Sequence, residues 1–252
     1  MIRVFIGFDE RQRVSFTTLA SSIYELSSAP VSVSPLVLRT LPISRRGLTP
    51  FTFSRFLVPW LTNYSGKAIF MDADMLVTSD ICEVLDTFDD SNAVAVVKSI
   101  AEFERSSFMV FNCEHSANGV LTPDYIQNTT DNLLALDWLT EDSIGTLDPK
   151  WNQLVGYQTV DPSVGCLHYT MGIPAYPETA TCEHGDYWAA QLNLATSSAP
   201  WAEIMGDSVH AVGLNDVKLP RYVWDFETNK PKPEHLELIK SFIGKDIASK
   251  QN

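Results

Sequence analysis

Little in these 252 residues points to a chemically stapled or membrane-spanning chain. The four cysteines, Cys82, Cys113, Cys166 and Cys182, stand far apart without a C-x-x-C pair. Neither a disulfide framework nor a zinc site is indicated. No apolar run approaches the roughly 18 residues of a membrane span. The opening Met1-Ile2-Arg3-Val4-Phe5 has no signal-peptide pattern, so the expectation is a soluble, cytoplasmic chain. Basic side chains are scarce, 18 against 31 acidic ones, and the formal net charge is −13. Such a surface repels phosphate backbones, which argues against a nucleic-acid partner. A small anionic ligand stays compatible, because one bound divalent cation reverses the local field. Also missing are a G-x-G-x-x-G run, a phosphate-binding P-loop and a G-x-S-x-G elbow. Their absence argues against dinucleotide binding, a standard kinase and an α/β-hydrolase. There is no internal repeat and no low-complexity tract.

What is present describes an ordinary globular chain, with 45% hydrophobic and 19% charged residues. Ile2 to Ile6 forms a short apolar run ending at Gly7. Phe16, Leu19, Ala20, Ile23 and Ser27 follow at helical spacing, and Val31 to Val37 looks like a second strand. A strand, helix, strand opening predicts a parallel sheet covered by helices. The fold class expected is therefore α/β, with a mostly parallel central sheet flanked by helices. Thr49-Pro50 predicts a helix start, with Phe53, Phe56, Leu57 and Trp60 on one face and Pro59 bending or ending it. On that helix Arg55 points away from the apolar stripe, towards a ligand. Ala93–Val97, Phe108–Phe111 and Val164–Leu167 read as further strands. Pro123–Leu139 and Tyr187–Leu194 read as helices. The domain expected spans residues 1–229. Lys230-Pro231-Lys232-Pro233 reads as a linker to a terminal amphipathic helix carrying Leu236, Ile239 and Ile243.

Chemistry concentrates at Asp72-Ala73-Asp74. The run Ala68-Ile69-Phe70-Met71 is apolar without alternation, as in a strand buried on both faces. The two acids stand at its carboxyl end, the edge where open α/β sheets bind ligands. Carboxylates at i and i+2 on an extended segment face one side and repel each other, and a divalent cation relieves that repulsion. Oxygen ligands favour magnesium, manganese or calcium over zinc. Two solvated acids at a strand end would give the same pattern. His168 closes another apolar run and fits either a further metal ligand or a hydrogen-bonded core histidine. Asp9, behind Gly7-Phe8, fits a nucleoside ligand or the cap of the following helix. Gly172 and Pro174 suggest a turn that lets backbone approach a ligand.

Six stretches occur in order over roughly residues 2 to 190: VFIGFDERQ, FSRFLVPWL, KAIFMDADMLVTSDI, FMVFNCEH, KWNQLVGY and LHYTMGIPAY. Together they resemble the GT-A type nucleotide-sugar glycosyltransferases, the group that includes glycogenin and the retaining bacterial galactosyltransferases. The resemblance implies a metal, normally manganese, held by Asp72, Asp74 and His168, with Asp74 and His168 the likelier direct ligands. It implies that Gly7, Phe8 and Asp9 border the base and ribose of a nucleotide-diphosphate sugar, UDP-linked as first choice. Arg55 would reach the nucleotide or donor sugar, and Asn112 would line the donor pocket. Trp151 and Asn152 would face the sugar and a glycan or other hydroxyl acceptor. Gly172 and Tyr176 would contact the diphosphate and acceptor. Two departures stand out: the loop reads Gly172-Ile173-Pro174-Ala175-Tyr176 rather than glycine, glycine, proline and an aromatic, without its usual lysine, and the segment between Lys98 and Ser107, beside the donor pocket, is shortened. Two rivals stay open at this point. One is a sugar-nucleotide pyrophosphorylase, although Glu10-Arg11-Gln12-Arg13 stands where its glycine-rich basic loop belongs. The other is a non-catalytic nucleotide-sugar or glycan binding module.

Overall fold

A computed structural model describes residues 1–200 and, beyond them, 203–204, 224–225, 230–231 and 233. The chain divides into two compact units, residues 1–196 and 197–252. In the second unit, β10 (Trp224–Asp225) pairs antiparallel with β11 (Lys230–Pro231). Lys230-Pro231, read from the sequence as a linker, is thus a short strand. The expected terminal helix of Leu236, Ile239 and Ile243 lies outside the described residues.

The first unit is built on nine strands: β1 (Ile2–Gly7), β2 (Val31–Leu36), β3 (Lys67–Met71), β4 (Met75–Val77), β5 (Val94–Val96), β6 (Phe108–Asn112), β7 (Ile144–Thr146), β8 (Gln153–Leu154) and β9 (Cys166–His168). Six of them form one sheet in the order β2-β1-β3-β6-β5-β7. β1 pairs parallel with both β2 and β3, and β5 parallel with β7. Only β6 runs the other way, antiparallel to β3 and β5. The sheet is therefore mostly parallel, as expected. A smaller sheet, β4-β9-β8, lies beside it.

Alternation along the central strands explains why no polar face shows in the sequence. Val4, Ile6, Ile69, Met71, Phe108 and Val110 point to one side, where they meet Leu19 and Ile23 of α1 (Arg13–Leu26). Phe5, Ala68, Phe70, Met109 and Phe111 point to the other. There they meet Phe56, Leu57, α2 (Val58–Leu61) and Ile126 of α4 (Pro123–Asn128). Each fully buried side chain of this size contributes about 1.5–3 kcal/mol. α3 (Glu83–Asp86) adds Val84 to the first layer, and α5 (Gly185–Thr196) buries Trp188 with Tyr169 and Ile173 in a third cluster.

Two helices expected from the sequence are much shorter. After Thr49-Pro50 the chain makes turns, a 3-10 helix over Ser54–Leu57 and only then α2. The Thr52 hydroxyl donates to the Thr49 carbonyl, competing with helical bonding, and Pro59 starts α2 instead of ending a longer helix. Trp60 is consequently exposed rather than on the buried face. The Pro123 helix ends at Asn128, not Leu139. There Asn128 donates back to the Asp124 carbonyl, and Thr129 and Asp137 accept from the amides of Asp131 and Asn132. A run of short polar side chains thus offers the backbone alternatives to the helix. Leu136, in the left-handed region at φ 66°, completes the turn.

Asp80 fastens two loops, accepting from the amides of Ser28 (3.3 Å) and Cys82 (2.9 Å). Desolvation opposes ionisation, but these bonds outweigh it and hold the carboxyl at about 2, below its ordinary 3.8. A depressed carboxylate stabilises the fold above about pH 4, and that contribution is lost as pH falls towards 2. Asp80→Asn should cost about 1 kcal/mol at neutral pH, after allowance for solvent screening, and much less near pH 2. Urea melts at both pH values check this, and an equal cost at both would contradict it.

Candidate active site

Asp72 follows β3 directly, and Asp74 directly precedes β4. The segment between them is a turn rather than the extended strand end expected from the sequence. The carboxylates still converge, because Ala73 is buried in the core cluster and turns away. Opposite them comes His168, the last residue of β9, which pairs with Met75 of β4. One ligand atom from each of Asp72, Asp74 and His168 lies within 4.8 Å of the others. His168 Nε2 is 3.5 Å from Asp74 Oδ1. Asp74 Oδ1 is buried without a hydrogen-bond partner, and Asp72 Oδ1, buried too, meets the Arg55 guanidinium at 3.0 Å. Buried carboxylate oxygens without donors are costly, and a shared cation is one way to satisfy them.

The electrostatics bear out the crowding. Burial first, and Asp74 and Glu104 after it, push the Asp72 carboxyl up to about 7 against the opposing pull of Arg55. Burial also works against a charged His168, but the carboxylates of Asp74, Glu104 and Asp72 prevail and raise its pKa.

Arg55 is not free for a ligand, as the helical reading had it. It is 5% exposed, donates from Nη1 to the Ser106 carbonyl (2.7 Å) and meets Asp72 Oδ1 at 3.0 Å. The helix that would have turned it outward does not form, and its guanidinium packs over the Phe70 ring instead. Asn112 is not brought to the site either. In the antiparallel β3–β6 pair it stands opposite Lys67, at the far end of β3 from Asp72, and donates to the Asp90 carbonyl. Trp151, expected to face the sugar, is 1% exposed and stacks on Phe108 in the core. Asn152 is wholly buried and spends its amide inside the protein, on His168, Glu104 and Ser107.

Other expected residues do line open space. A cavity of about 500 Å³ opens at the carboxyl ends of β1 and β2, the same edge of the sheet as Asp72, with Phe8, Asp9, Arg11, Leu38, Arg39 and Arg46 in its wall. Asp9 does not cap α1, whose N-cap Gln12 makes no side-chain cap bond. It is held by Arg11, whose backbone amide and guanidinium both donate to it and keep its carboxyl below the ordinary range. Gly7 ends β1 against Phe51: a Cβ there would come within 2.4 Å of the Phe51 ring. Gly172 sits at φ 120°, a conformation that side chains rarely adopt. The loop after it reaches across, and the Tyr176 hydroxyl donates to Gln12 Oε1 at 2.8 Å.

Glu104, Ser106 and Ser107 were not anticipated. They lie just before β6 and reach the site because β6 enters the sheet from this edge. The Asp72 amide donates to the Ser107 carbonyl, and the Thr170 hydroxyl donates to Glu104 Oε1. The available signal was the span from Val97 to Ser107, short for a crossover helix between parallel strands.

Residues 6–125 match glycosyl transferase family 8. Protein CDI of Arabidopsis thaliana is 31% identical over 223 residues, covering 75% of this chain and 85% of that protein. Among solved structures, the galactosyltransferase LgtC, in complex with donor and acceptor sugar analogs, superposes with a TM-score of 0.54 at 11% identity, over 80% of this chain and 99% of that one. The glycosyltransferase GlyE of Streptococcus pneumoniae TIGR4, in its apo form, gives 0.56 at 15% identity, over 81% of this chain and 61% of that one. The bifunctional WbbM gives 0.55 at 16% identity, and this chain spans 50% of its length. The fold is thus that of GT-A glycosyltransferases, and the chain belongs to glycosyl transferase family 8.

Proposed function

We propose that the chain transfers a sugar from a nucleotide-diphosphate donor, UDP-linked as first choice, to a hydroxyl of a glycan or other acceptor, with manganese or magnesium. The observation that carries this reading is the convergence of Asp72, Asp74 and His168 within 4.8 Å, with the buried Asp74 Oδ1 left without a hydrogen bond. This donor set suits a hard or borderline divalent cation with open positions. Asp74 and His168 are the better direct ligands, since Asp72 already faces Arg55. When bound, the ion would supply positive charge against a diphosphate leaving group. The Phe8 and Asp9 cavity suits the nucleoside by position, because it opens at the same sheet edge. Arg55 acts on the carboxylate and not on the diphosphate: it opposes the rise that burial imposes on the Asp72 carboxyl and holds it in place.

Calorimetric titration of UDP, GDP and CMP, each with and without manganese, tests the proposal. Tight, manganese-dependent binding of one nucleotide is expected and would identify the donor class. Tight binding without turnover of the matching nucleotide sugars would favour the non-catalytic module. No binding of any nucleotide would overturn the reading.

A further inference from the structure

The buried amide of Asn152 decides which nitrogen of His168 carries the proton. Asn152 Nδ2 donates to Ser107 Oγ at 2.9 Å and to the Glu104 carbonyl at 3.3 Å. The Ser107 hydroxyl spends its own proton on that same carbonyl. Both partners on this side of the amide are therefore acceptors, and turning the amide over would set its oxygen against them. Asn152 Oδ1 must then face His168, where it lies 2.9 Å from Nδ1. A carboxamide oxygen only accepts, so Nδ1 holds a proton. In the neutral ring the lone pair is left on Nε2, aimed towards Asp74 Oδ1 at 3.5 Å. Two acceptors then face each other across that gap.

We propose that Asn152 is a positioning residue that fixes His168 as the Nδ1–H tautomer, presenting Nε2 to a divalent cation shared with Asp74. The control originates in backbone, since the Glu104 carbonyl orients the amide that orients the ring. A partner that fixes the tautomer of a metal-binding histidine typically changes affinity about 10–100-fold when removed. The role in metal binding rests on the metal-dependent reading above, whereas the tautomer does not.

The test uses the full-length, metal-free protein labelled with 15N-histidine, at a pH where the ring is neutral. The His168 signals are assigned by their loss in His168→Gln. Long-range proton–nitrogen correlation should show the proton on Nδ1, and a proton on Nε2 would overturn the proposal. Asn152→Ala should move the proton towards Nε2, where it can bond Asp74, and weaken manganese binding about 10–100-fold by calorimetry. The near-isosteric Asn152→Asp keeps an acceptor at Nδ1 and should retain the Nδ1–H tautomer, even if the alanine variant does not fold. Loss of that tautomer in folded Asn152→Asp, or unchanged tautomer and manganese affinity in folded Asn152→Ala, would overturn it. If the wild type has Nδ1–H but binds no manganese, the metal reading fails and the tautomer assignment stands.

Discussion

Asp74→Ala should abolish manganese-dependent nucleotide binding and lower glycosyl transfer by about three orders of magnitude or more. A metal at a leaving group contributes several kcal/mol, and each 1.36 kcal/mol is tenfold in rate. The fold should hardly notice the change. Asp74 is 28% exposed by its side chain, and its buried Oδ1 makes no hydrogen bond. Its charge also presses on Asp72, so the metal-free variant should melt at the wild-type temperature or slightly above it. Calorimetry and thermal melts, each with and without manganese, separate the two effects. A variant that kept full manganese dependence would remove Asp74 from the site.

Arg55→Ala should have the largest effect on stability. It leaves Asp72 buried beside Asp74 and Glu104 with no guanidinium, and breaking a buried pair on one side costs about 3–5 kcal/mol. For a chain of this size the melting temperature should fall by about 10 °C. Lysine should rescue little, because a single ammonium cannot reproduce the bond to the Ser106 carbonyl and the pairing with Asp72 together. The loss should also depend on pH. With its carboxyl at about 7 against an ordinary 3.8, Asp72 retains a proton in the folded state that the unfolded chain releases. Metal-free stability from this group therefore falls as pH rises across that window. Removing Arg55 carries the upper limit of the window higher, so the variant should lose more at about pH 8 than at about pH 5. Urea melts at the two values decide it, and an equal loss at both would mean that Arg55 acts through packing alone.

The sequence was most legible where burial is complete on both faces. Ala68-Ile69-Phe70-Met71 announced a central strand, and Asp72 and Asp74 sit at its carboxyl end as expected. His168, ambiguous by itself, joins them because β9 pairs with β4. The differences share a physical origin. Motif position places Asn112, Trp151 and Asn152 beside the substrate, but strand direction and burial are tertiary properties. Once β6 runs antiparallel, its last residue moves to the far edge and the residues before it, Glu104 to Ser107, move to the near one. An ideal α-helical wheel turns Arg55 outward, whereas the chain there forms only a short 3-10 helix. Tautomer and amide orientation are further from reach, since they depend on which neighbours are acceptors and not on residue type.

The reversed strand has a consequence for how the protein comes to possess its site. Arg55, Asp72, Glu104 and His168 come from widely separated parts of the chain, and His168 leaves the ribosome long after the two acids. Contacts so distant in sequence form late and slowly. The proposed metal-binding group therefore does not exist in a nascent or partly folded chain, and a cation cannot template the early steps of folding. Manganese should slow unfolding of the finished protein and leave its refolding rate unchanged.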